Sequence, residues 1–135
     1  MSKYGLLISS IFFIIISSGC ISNEKTPPVI KNIETSGKSF SIDCVPTSVT
    51  ITAHITDPSG IKSTMLWYRV GTDQQYKSVN MEFSNGVYNA TIQALDLPVG
   101  EYGSLEFYII AQDDAGDQSK SELDTSIQLL PCVSN

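Results

Sequence analysis

From Ser48 to Thr56 the side chains alternate without a break, Val49, Ile51, Ala53 and Ile55 against Thr50, Thr52, His54 and Thr56. Successive side chains of an extended strand point to opposite faces, so this run predicts a strand with one buried and one wet face. Shorter runs of the same kind recur, and no long helical period competes with them. Residues 63–70 set Leu66, Tyr68 and Val70 against Met65, Trp67 and Arg69, and residues 105–112 set Leu105, Phe107, Ile109 and Ala111 against Tyr108 and Ile110. Further strands are predicted at 29–34 with an extension at 39–42, and at 76–81, 87–93 and 123–130. Turn chemistry separates them. Asp57-Pro58-Ser59-Gly60 and Asp113-Asp114-Ala115-Gly116-Asp117 are turn sequences, and Asn85-Gly86 marks a tight hairpin. Seven or eight short strands at regular spacing predict an all-β, antiparallel sandwich. Ile51, Ala53, Leu66, Tyr68, Phe107 and Ile109 are its expected core.

Composition fits one folded domain. Of the 135 residues 41% are hydrophobic and only 16% charged, which argues against disorder. The formal charge is -6, and no basic run is present, which disfavours nucleic acid as a partner. The same charge is repelled by an anionic lipid surface, so contact with a membrane needs a separate device. The N-terminus offers one. Lys3 precedes an apolar run from Gly5 to Ile16, followed by Ser17-Ser18-Gly19-Cys20. Such a three-part pattern is that of a secretory signal, and the run is short of the roughly 20 residues that span a bilayer.

Ser17-Ser18-Gly19-Cys20 resembles the lipobox of prokaryotic lipoproteins. The resemblance implies a lipid on Cys20 and cleavage before it, giving a signal peptide at 1–19, a tether at 20–28 and a domain at 29–135. An uncleaved anchor over residues 4–21 and ordinary cleavage are the alternatives. All three put the domain outside the cytoplasm, on the cell membrane in the lipidated case. Along the rest of the chain, Thr26-Pro27-Pro28-Val29-Ile30, Thr56-Asp57-Pro58-Ser59-Gly60-Ile61, Leu66-Trp67-Tyr68-Arg69-Val70 and Phe107-Tyr108-Ile109-Ile110-Ala111-Gln112-Asp113 follow one another. This order is similar to that of the immunoglobulin-like, fibronectin type III-like modules of bacterial and archaeal surface proteins. In those modules the last strand ends at the pole where the second begins. The resemblance therefore implies that Cys44, just before the second strand, meets Cys132, just after the last, as a disulfide in an oxidising compartment. Free thiols or pairing between chains are the alternatives.

Candidate chemistry is sparse. His54 is the single histidine and falls on the polar face of its strand, so no triad and no histidine metal site can be assembled. Asp57, Asp113, Asp114 and Asp117 fit turns better than a calcium loop. No catalytic residue, cofactor or metal is expected. Asn89-Ala90-Thr91 is a glycosylation sequon, with Asn89 expected to point outward between Tyr88 and Ala90. The residues singled out for function are Trp67, Met65, Arg69, Tyr108 and Ile110, an apolar and aromatic set predicted to face outward on neighbouring strands as a partner surface. The resulting expectation is a non-enzymatic lipoprotein module for binding or spacing at the envelope. Its partners would be the membrane, through the lipid, and a protein or glycan. The alternative is a small protein that binds a glycan or peptide on this aromatic face.

Overall fold

The computed structural model describes residues 25–72 and 74–133. Cys20 and the rest of the leader lie outside the described residues. The described residues are nearly all β, with one short 3-10 turn at Ala94–Asp96, and form two sheets packed face to face in a sandwich-like arrangement. One sheet has the order β1 (Val29–Thr35), β3 (Ser48–Thr56), β7 (Val87–Gln93) and β6 (Glu82–Ser84). The other has the order β2 (Ser39–Ser41), β10 (Asp124–Leu130), β8 (Gly103–Asp113), β4 (Ile61–Val70) and β5 (Lys77–Asn80), with β9 (Gln118–Lys120) beside β8.

The long strands follow the alternation in the sequence. β3, β4 and β8 each present every second residue to the interior, and Val49, Ile51, Ala53, Leu66, Tyr68, Leu105, Phe107 and Ile109 are all buried. Phe40, Ile92, Ile127 and Leu129 complete the core from the flanking strands. Burying a side chain of this size contributes about 1.5–3 kcal/mol relative to leaving it in water. His54 stands exposed on the outer side of β3.

The strand predicted at 76–81 is β5, which pairs with β4; beyond it buried Met81 carries the chain across to β6, which the alternation did not give and which pairs with β7 in the other sheet. β9, between the 113–117 turn and the final strand, is likewise additional and pairs with β8 over Ile110↔Lys120 to Gln112↔Gln118. Pairing is not wholly antiparallel, because β2 runs parallel to β10. Chain direction explains this: after β1 the strand continues in the same sense but crosses to the opposite sheet.

Two poles result. At one, the β3–β4 turn is closed by the Gly60 N–H on the Asp57 carbonyl at 3.1 Å, and the β8–β9 turn by the Asp117 N–H on Asp113 Oδ1 at 2.8 Å. Gly60 has φ +92°, a conformation that favours glycine, and a Cβ there would come within 2.6 Å of Asp114 Oδ2, so the exposed Asp114 side chain would have to turn aside. Chain entry into β1 lies at this pole, where Val29 pairs with Thr56. At the other pole are the turns after β2, β4, β7 and β10. Cys44 and Cys132 are joined there by a disulfide with Cα atoms 5.4 Å apart, the pairing expected from the sequence.

Candidate functional site

β4 and β8 lie side by side, so their outward rows form a continuous surface. The register sets Met65 opposite Ile110, Trp67 opposite Tyr108 and Arg69 opposite Glu106. All five residues singled out in the sequence thus share the outer face, and each is half-buried rather than fully exposed. Trp67 and Tyr108 have nearly parallel rings, 6° apart in plane with centroids 6.3 Å apart. Tyr76, in the segment leading into β5, meets the edge of Tyr108 with centroids 5.1 Å apart.

A polar cluster fixes one end of this surface. The Arg69 Nε–H donates to Glu106 Oε2 at 2.7 Å, and the Tyr76 hydroxyl donates to the same oxygen at 3.1 Å. Arg69 Nη1 also donates to the Thr72 carbonyl at 2.9 Å, and its guanidinium carbon stands 4.4 Å from the Tyr76 ring centroid. The Arg69 hydrogen bond holds the Glu106 carboxyl below the usual carboxylate range, and the Tyr76 bond adds to it. Tyr76 itself is pushed up, first by loss of water around its hydroxyl and then by its bond to Glu106. On the other flank the Lys120 ammonium sits 4.0 Å from the Tyr108 centroid, a cation–π arrangement. The indole N–H of Trp67 is shielded from solvent with no hydrogen-bond partner.

Tyr76, Glu106 and Lys120 were not anticipated. Glu106 was readable in principle as the outward residue between Leu105 and Phe107. Tyr76 and Lys120 reach the face from a loop and from the unforeseen β9. Beside Arg69 and Tyr76 opens a cavity of about 370 Å³, bordered also by Tyr68, Gln74, Leu97 and Pro98.

Other candidates fall elsewhere. Asn89 does point away from the core, but its side-chain amide donates to the Glu82 carbonyl at 2.9 Å and to Ser84 Oγ at 2.8 Å. The amide nitrogen is thus engaged in the β6–β7 hairpin. Asp57 and Asp113 use Oδ1 for turn bonds, to the Ser59 N–H at 2.8 Å and the Asp117 N–H at 2.8 Å. Asp113 is wholly buried as the last inward residue of β8, which the turn reading did not foresee. Among the described residues no group of three or more His, Cys, Asp or Glu could hold a metal ion.

No family model matches the chain, and no curated protein matches it. Among solved structures, one titled "Crystal structure of Br derivative BhCBM56" aligns with a TM-score of 0.43 at 20% identity, over 61% of this chain and 80% of that one.

Proposed function

We propose that the protein is a lipid-anchored, non-enzymatic module of the cell envelope, built on an immunoglobulin-like domain that binds through the outer face of β4 and β8. The strand orders β1-β3-β7-β6 and β2-β10-β8-β4-β5, with the first strand shared between sheets, support the immunoglobulin-like reading. Gly19-Cys20 after an apolar run supports the anchor. The observation that carries the binding reading is the Trp67–Tyr108 pair. Two large rings lie parallel on an outward face, half-buried with Lys120 over Tyr108, and the apolar area they still leave in water costs about 25 cal/mol per Å². A partner covering the rings recovers that free energy. The near-parallel rings also favour a second reading, in which the ligand is a glycan or another flat group resting against them.

Trp67→Ala in the full-length protein tests this. We expect the fold to persist by circular dichroism, and binding to envelope components or glycan arrays to weaken by about 2 kcal/mol or more, roughly thirtyfold, as for an interface hot spot. Trp67→Phe should retain part of the binding. Unchanged binding in a folded Trp67→Ala protein would remove the face from the function.

A further inference from the structure

The pole carrying the disulfide has an unusual surface. Connecting segments are ordinarily polar, yet here the tips are aliphatic. Val45 is 91% exposed, Leu95 79%, Val99 95% and Val133 78%, with Tyr102 beside them. The fold gathers these tips. Val45 and Val133 each follow a cysteine of the Cys44–Cys132 bridge, and the Ala94 N–H on the Thr47 carbonyl at 2.9 Å brings the Leu95 segment alongside. Gly103 pairs with Leu129, which sets the 98–102 turn against the end of β10. Acidic residues share these segments: Asp43 and Asp96 are exposed, and Glu101 is half-buried with its carboxylate towards Gln74. The nearby Lys77 spends its ammonium on the Asp96 carbonyl.

We infer that this pole is a docking tip for a protein partner whose contact surface has an apolar centre and a basic rim. Charge selects that chemistry, since carboxylates around aliphatic tips attract Lys and Arg and are repelled by anionic headgroups. Chain length points the same way, and this step rests on the lipid anchor at Cys20. The nine residues from Cys20 to Val29 span at most about 30 Å. β8 runs from pole to pole in 11 residues, about 35 Å. The tether enters at the opposite pole, so with the domain upright on its tether the tip stands a further β8 length from the bilayer. The disulfide beneath Val45 and Val133 limits how far those two segments can part.

Photo-crosslinking in the intact envelope decides the matter. A benzoylphenylalanine probe replaces Val99 or Leu95 in the full chain, with Phe83, which lies towards the other pole, as the control position. Expected are protein adducts from Val99 and Leu95 but not Phe83, with the linked peptide carrying Lys or Arg beside apolar residues. Adding Asp96→Lys and Glu101→Lys together should lower their yield at least tenfold in protein that circular dichroism finds folded. Lipid adducts, adducts to a second copy, no adduct, equal adducts from Phe83 or indifference to the charge reversal would each overturn the proposal. Mass analysis of the N-terminus reports separately on the lipid, so an unmodified Cys20 with intact tip adducts would remove the anchor and leave the tip.

Discussion

Glu106 accepts from Arg69 and Tyr76 on one oxygen, and that arrangement has a pH signature. A carboxyl titrating lower in the folded chain than in the unfolded one contributes stability at pH above its unfolded value. That contribution disappears as the pH falls through the folded value. With Glu106 lowered from an ordinary value of 4.5, the contribution is in place at neutral pH and fades on the acid side of 4.5. The pair is partly exposed, so the effect is modest and shrinks with salt. Glu106→Gln should melt below the parent protein near pH 7 in calorimetry, and the gap should narrow as the pH falls below 4.5. A gap that stays constant with pH would assign the loss to packing instead. At this scale the sequence showed which side of a strand a residue takes, and Trp67, Tyr108, Met65 and Ile110 were legible for that reason. It did not show partners. Tyr76 is 30 residues from Glu106, and alternation says nothing about which loop closes over a face. Asp113 was misjudged in the same way, since a residue typical of turns also occupies the last inward step of β8.

Among the elements, β3, β4, β7 and β8 were readable because each is long enough to repeat the period-two pattern several times. β6 and β9 have three residues each, too few to establish a period, and both are fixed by pairing with a longer neighbour. The crossing at Met81 was hidden for a related reason: a continuous apolar-polar rhythm does not reveal which sheet receives it. β2 and β10 are tied at their ends by Cys44–Cys132, a bridge with a sequence separation of 88. In the chain-entropy account a loop of that length contributes roughly 4–5 kcal/mol by restricting the unfolded chain. The Cys44→Ala, Cys132→Ala double variant should therefore show a much lower denaturant midpoint and a steeper slope, because the unfolded chain without the crosslink exposes more surface. An unaltered midpoint would mean that the bridge adds nothing to the folded state's advantage.

For the molecule as a whole, the proposed lipid on Cys20 would determine where the domain works. Cys20→Ser should abolish retention in the membrane fraction or arrest maturation, and mass spectrometry of the native chain should find an acylated N-terminal cysteine. Detergent-extracted protein still carrying Met1 to Gly19 would replace the lipid with an uncleaved anchor. The covalent loop from Cys44 to Cys132 has a mechanical consequence as well. It encloses β3 through β10, leaving only β1 and β2 on the tether side of the crosslink. A load applied between a lipid at Cys20 and a partner gripping the far end can peel β1 from β3 and then shear β2 from β10. Where the partner grips at Val133, it stops at Cys44, beyond which tension passes through sulfur. The domain would lengthen by two strands under drag while the β4–β8 face stayed assembled, a mechanical fuse with a covalent stop.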